Sequence, residues 1–264
     1  MANWRLATTI ASLTLGLGLS NQADAWGIET HRAIARVAEE NLTDNAKRRV
    51  GYVLGRSAKL EDAAGWSDTI VAERPDTEAW HSITLPTGAE ALNLRRDCPV
   101  GDCVTVKLRD YLGIVRLAYR EKPKLIEGFK FLVDLAGDLN QPLNVGKPPS
   151  EGVEDRTVRF EGQTMSLYEA WDEGFLEEAS TDDLAAKLRL QITHENKKRW
   201  SRGHIKSWTW ETHQTALKHS YEELPGEGAE ELSPEYVARA RAVCEEQLAK
   251  AAVRLAALIN EVWP

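Results

Sequence analysis

Asp134 and Asp138 stand four residues apart in FKFLVDLAGDLNQPLN, and on a helix that spacing puts both carboxylates on one face. Hard oxygen donors so arranged can hold a divalent cation. The same spacing also fits an ordinary amphipathic helix. Leu125, Phe129, Leu132 and Ala136 form an apolar stripe nearly opposite, and this periodicity predicts a solvated face carrying Glu127, Asp134 and Asp138. Asn140 and Asn144 follow, at positions where a metal would prefer His. His31 opens a run whose apolar face is Ile34, Val37 and Ala38. Asp68 in GWSDTI and His81 in AWHSITLP each lie just after a tryptophan that would shield a site from water. Taken singly, each of these residues reads as a packed or solvated side chain.

The elements that must position them are helical. HRAIARVAEENL, LRDYLGIVRLAYR, PKLIEGFKFLVDLAGDL, TDDLAAKLRLQITHENKKRW and PEYVARARAVCEEQLAKAAVRLAALINEVW repeat apolar residues at three and four, the period of a helix packed on one face. Thr181-Asp182 and Ser233-Pro234 read as helix starts. Alternating strand patterns are scarce, with RTVRFEGQT the best candidate for a short hairpin. Residues 74–104 and 144–165 read as long loops rich in Pro, Gly and charge, and loops of that length in a compact domain tend to be functional. The fold class is therefore all-α: a single compact multi-helical domain with long loops and at most a short β-hairpin.

Bulk properties narrow the function. The 264 residues suffice for one large domain, and 42 % hydrophobic with 28 % charged residues describe an ordinary globular chain. The net charge of −8 argues against passive binding to nucleic acid, which needs a basic face. It leaves room for an enzyme of phosphodiesters, because bound cations invert local electrostatics. The run LATTIASLTLGLGLS is apolar but too short to span a bilayer. It ends in NQADA, and Ala23-x-Ala25 fits a signal-peptidase site. Residues 1–25 are read as a signal peptide and 26–264 as the mature domain, secreted or periplasmic, with Trp26 its first residue. Cys98 and Cys103 enclose the turn-forming PVGD, as a local disulfide in an oxidising compartment or as reduced surface thiols. Cys244 reads as a buried free thiol.

Order and context change the weight of these residues. WGIETH at the mature start is followed by WSD, WHSITLP, C-x4-C with VTVKL, FLVDLAGDLNQPLN and LYEAWD. This series resembles the secreted trinuclear-zinc, single-strand-specific nucleases, relatives of the bacterial zinc-dependent phospholipases C. The resemblance runs from Trp26 to about Asp172, with fainter echoes in WTWETH and RLAALIN. It implies an all-α fold with three zinc ions at the bottom of a cleft. It further implies that Trp26 binds metal through its freed amine and carbonyl, so that removal of the leader creates a ligand. His31, Asp68 and His81 match other family ligands, and Asp138 matches the Asp that bridges two metals.

The departures bear on metal number. Asp134 and Asn144 stand where the family has His ligands, and Tyr168 replaces another, although Asp172 keeps its place. Thr84 replaces an Asp or Asn near the attacking water, and EDRTVRF replaces a glycine-rich segment. One site retains Asp68, His81, Asp134 and Asp138, and the site at the chain start retains Trp26, His31 and Asp138. The remaining site retains only Asp172. The resemblance therefore implies two Zn2+ rather than three, with Mn2+ or Mg2+ also suited to so many carboxylates.

In the family a water shared by two zincs attacks phosphorus while the third supports the leaving oxygen. Here Asp68 and Asp138 are the expected catalytic residues, and loss of one charge-stabilising group typically costs ~10²–10³ in rate. The reading is a metal-dependent hydrolase of single-stranded DNA, RNA or nucleotides with a reduced metal set. Two alternatives stand beside it: a homologue binding metal or nucleotide without turnover, and a phospholipase C-like esterase. NKKRWSRGHIKSWTW, residues 196–210, reads either as a contact for a phosphate backbone or as a solvated helix end with core tryptophans. His194, His204, His213 and His219 read as structural or surface. No substrate-binding residue and no protein partner is inferred.

Overall fold

The computed structural model describes residues 26–264 except 87, 119, 146–155, 177, 178, 222, 223 and 225–230. The expected leader and the middle of the expected 144–165 loop lie outside the described residues. From a buried Trp26 the chain enters α1 (Ile28–Glu40), then α2 (Asp44–Leu54), capped by the Thr43 hydroxyl accepting the Ala46 N–H at 3.0 Å. A 3₁₀ turn (Leu60–Ala63) leads to α3 (Trp66–Ile70). A 3₁₀ helix (Pro75–His81) and α4 (Leu94–Asp97) precede α5 (Val104–Leu117) and α6 (Lys122–Asp138).

Past a 3₁₀ turn (Pro142–Asn144), β1 (Thr157–Phe160) and β2 (Gln163–Ser166) pair antiparallel, with Phe160 opposite Gln163. Glu161 and Gly162 have φ of 51° and 78°, which closes a two-residue hairpin. Helices α7 (Leu167–Asp172), α8 (Thr181–Gln191), α9 (His194–Trp200), α10 (Ile205–Ala216) and α11 (Pro234–Val262) complete the fold. The fold is all-α with one short hairpin, as the periodicity predicts, and no described helix is long and apolar enough to cross a membrane.

Helix α6 packs against α5, α11, α2, α3 and α1, so little of its circumference faces water. That explains one correction. Asp134 and Asp138 are 0 % exposed, not on a solvated face. Periodicity sorts residues by polarity, and a helix surrounded by protein can bury its polar side against polar partners. Three smaller corrections concern boundaries. Residues 74–104 are not structureless, since Pro75 starts the 3₁₀ helix that carries His81 and a second short helix follows. The run 181–200 is two helices, because Thr193 accepts the Asn196 N–H and starts a new one. The cap of α8 is Ser180 rather than Thr181. Ser233 and Pro234 do open α11 as expected.

The disulfide Cys98–Cys103 is formed and Cys244 is a buried free thiol. Of the basic and aromatic run, Trp200 and Trp208 are buried while Lys197, Lys198 and Arg199 are exposed. That is the pattern of a solvated helix end with core tryptophans. His194 and His204 are exposed, His219 is half-buried, and buried His213 contacts the Val145 carbonyl at 3.2 Å.

Candidate metal centre

The centre is assembled from four stretches of chain around the last two turns of α6. His31 comes from the first turn of α1, Asp68 from α3, His81 from the end of the 3₁₀ helix and Asp138 from the last residue of α6. Asp138 lies between two imidazoles. His31 Nε2 is 3.2 Å from its Oδ1, and His81 Nδ1 is 2.8 Å from its Oδ2. Asp68 closes a ring of four, 3.3 Å from His81 Nδ1 and 3.9 Å from His31 Nε2.

Two glycines permit this geometry. A Cβ at Gly137 would sit 2.8 Å from His31 Cε1, so only glycine lets the ring approach α6. Gly65 has φ of 73°, and a Cβ there would meet Ile28 at 2.6 Å. Its left-handed turn aims the Gly65 and Ser67 N–H groups at the two oxygens of Asp134, each at 2.7 Å. Asp134 thereby anchors the turn that starts α3 and presents Asp68. Its Oδ1 also lies 3.8 Å from His31 Nδ1. Asp134 stands out in the sequence by its spacing from Asp138, whereas no local pattern signals its two amide partners.

The remaining expected ligands lie at the chain start and on α7. Trp26 is fully buried with φ of 55°, and its main-chain N–H donates to the Asp172 carboxylate. On α7, the Tyr168 hydroxyl donates to Asn144 Oδ1 at 2.7 Å. Two of the three residues that stand where the resemblance implies histidines are thus joined to each other. Ile83 N–H donates to the Asn144 carbonyl at 2.8 Å, tying this loop to the segment after His81.

Charge in the ring follows from burial and proximity. Burial raises the Asp68 carboxyl to about 8, against the pull of His31 and His81. Burial would lower His81, but its hydrogen bond to Asp138 and the charges of Asp138 and Asp68 outweigh that and raise it to about 9. His31 is raised well above its ordinary value by the same partners, again against burial. Burial pushes Asp138 up, yet the hydrogen bonds from His31 and His81 prevail and hold it below the usual carboxylate range. Burial raises Asp134 and Asp172, the latter well above its ordinary value.

In the protein alone, protons therefore supply positive charge that a cation would otherwise provide. The donor set fits a divalent ion. One ligand atom each from Asp68, His81 and Asp138 lies within 4.8 Å of the others, the only such group of three among the described residues. The buried His81 Nε2 has no hydrogen-bond partner, an open donor position that a built polar site does not normally leave.

Comparison with known proteins gives a consistent picture. A family model described as S1/P1 Nuclease matches residues 26–264. Endonuclease 3 of Arabidopsis thaliana is 26 % identical over 285 residues, covering 98 % of this chain and 96 % of that protein. Nuclease S1 of Aspergillus oryzae is 24 % identical over 271 residues, covering 92 % and 94 %. Nuclease P1 of Penicillium citrinum is 26 % identical over a shorter stretch of 155 residues, 56 % of this chain and 57 % of the relative.

Proposed function

Because the chain belongs to the S1/P1 nuclease family, we propose that its mature form, residues 26–264, is an exported phosphodiesterase. Its substrates are single-stranded DNA, RNA or nucleotides, hydrolysed with two bound divalent cations, zinc first among them. The observation that carries this reading is the buried ring of His31, Asp68, His81 and Asp138. Removing two imidazoles and two carboxylates from water is unfavourable unless they serve one another or a cation. Asp68, His81 and Asp138 would hold one ion, with Asp134 behind them. Trp26, His31 and Asp138 would hold the other, with Asp138 shared.

When bound, such ions supply Lewis acidity that lowers the pKa of water toward ~7. The chain's own part is orientation. Asp134 fixes the α3 turn through two amides, Gly137 admits the His31 ring, and Trp66 and Trp80, close in sequence to Asp68 and His81, each pack on Phe131 of α6 with ring centroids 5.3 Å apart.

The third family site does not fit a cation here. Asn144 Oδ1 is occupied by the Tyr168 hydroxyl, a neutral phenol and an amide are poor zinc ligands, and Asp172 is turned to Trp26. Leaving-group support is therefore reduced. The same pair favours a second reading, a homologue that binds metal or nucleotide without turnover. Hydrolysis of denatured DNA and of a nitrophenyl phosphodiester separates the two. The enzyme reading expects turnover abolished by chelator and by Asp138→Ala, with relative preference for the ester bearing the better leaving group. No turnover of either substrate by zinc-loaded protein would favour the non-catalytic reading.

A further inference from the structure

Arg254 lies on α11, 114 residues in sequence from the loop that follows Asp138, yet it is 2 % exposed and reaches that loop. Its Nη1 donates to Asn140 Oδ1 at 2.6 Å and its Nη2 donates to the Glu211 carboxylate. The guanidinium also stacks over Trp208, 5.3 Å from the ring centroid. Glu211 is held in turn by Lys250 at 2.7 Å, and Lys250 by Glu246 at 2.8 Å.

Asn140 links this network to the metal centre. It is 1 % exposed, its side-chain NH2 donates to the Ala136 carbonyl at 2.8 Å, and its main-chain N–H donates to the Gly137 carbonyl at 2.9 Å. Asp138 sits between those points of attachment. Gln141 continues the clasp by donating its N–H to the Asp138 carbonyl at 3.0 Å and accepting the Asn144 N–H at 3.2 Å. The loop from Asp138 to Asn144 is thus tied to α6 on one side and to Arg254 on the other.

A buried ion-pair network is not a stability device by default, since apolar residues of equal volume often serve as well. What the guanidinium adds is a planar fork whose donors point in fixed directions. We infer that Arg254 is a positioning residue for the metal centre: through Asn140 it fixes the Asp138 carboxylate between His31 and His81. This rests on the reading of Asp138 as a metal ligand. It also answers why Asn occupies position 140, where a fork needs a side-chain oxygen on one side and a helix end needs an amide donor on the other.

Arg254→Lys, Arg254→Met and Asn140→Ala, in the full mature chain, test the inference by two readouts. The first is hydrogen exchange of residues 138–144 in metal-free protein. The second is Zn2+ affinity measured against a chromophoric chelator. All three variants are expected to lose protection at 138–144 by about tenfold or more while α1 and α8 keep theirs, and to bind Zn2+ ~10–100-fold more weakly, as outer-sphere changes do. Arg254→Lys should not rescue, because it keeps charge and loses the fork. Arg254→Met combined with Asn140→Ala should be no worse than Asn140→Ala alone.

Unchanged protection of the loop in folded Arg254→Lys, or additive effects in the double variant, would overturn the inference. So would loss of protection spread over α10 and α11 with the loop spared. Should Arg254→Met not fold, the Lys and Asn140 variants still decide. Wild-type protein that binds no zinc defeats the function reading, and the exchange measurement then decides the positioning role by itself.

Discussion

The Tyr168 hydroxyl donates to Asn144 Oδ1 at 2.7 Å, so two residues from α7 and the post-α6 turn are hydrogen-bonded to each other where the family resemblance implies a metal. A neutral hydrogen-bonded pair in that position needs no cation. Converting both to histidine should restore a ligand set with Asp172. The variant Asn144→His/Tyr168→His is expected to bind one more zinc than wild type and to hydrolyse unactivated DNA ~10²–10³-fold faster, the usual value of one charge-stabilising group. Elemental analysis and rate measurement on the same preparation check this.

A cation at the proposed centre would compete with protons for the same ring. His81 rises from its ordinary 6.5 to about 9 and Asp68 from 3.8 to about 8 in the folded, metal-free protein. Both folded values exceed the unfolded ones, so bound protons stabilise this state. The His81 contribution is complete below about 6.5 and is lost as pH rises through about 9. The Asp68 contribution is lost between about 3.8 and 8. Asp138 acts oppositely, its lowered carboxyl costing stability in acid below 3.8. Chelator-treated protein should therefore melt at lower temperature from pH 6 toward pH 9, while zinc affinity increases over the same interval. Calorimetric melts with and without zinc read both trends.

Gly137 is a steric requirement of the centre. Gly137→Ala puts a methyl 2.8 Å from His31 Cε1, on a helix where alanine is otherwise the better former. The expected outcome is a loss of ~1–3 kcal/mol from overpacking in place of the usual helix gain, together with weaker zinc binding. Urea unfolding of metal-free protein and chelator competition measure the two effects.

The Cys98–Cys103 bridge spans a sequence separation of 5. A loop that short restricts the unfolded chain by about 2 kcal/mol in the entropic account. Replacing both cysteines by alanine should lower the melting temperature by ~4–8 °C and leave zinc stoichiometry unchanged, since neither sulfur belongs to the ring.

What the sequence discloses depends on how locally each feature is written. The short motifs around Trp26, Asp68, His81 and Asp138 carry their residue types in plain order, and the structure brings His31, Asp68, His81 and Asp138 to one point. The burial of Asp134 is not legible along α6, because a polar face looks the same whether it meets water or the Gly65 and Ser67 amides. The break at Thr193 was available as a cap signal inside a longer apolar repeat, and the repeat concealed it. Helix α2 was equally available: Thr43 caps it and Ala46, Val50 and Val53 share its buried face. The Arg254–Asn140 bond joins segments with no local pattern in common, so only the folded chain reveals it.

The central claim is a two-cation centre built on Asp138, with the third family site closed by Asn144 and Tyr168. Metal content of mature protein beginning at Trp26, saturated with zinc and then dialysed, tests it most directly. Two tightly held zinc ions per chain, both lost in Asp138→Ala, is the predicted result. Three ions in the wild-type chain, or none in a well-folded preparation, would contradict it.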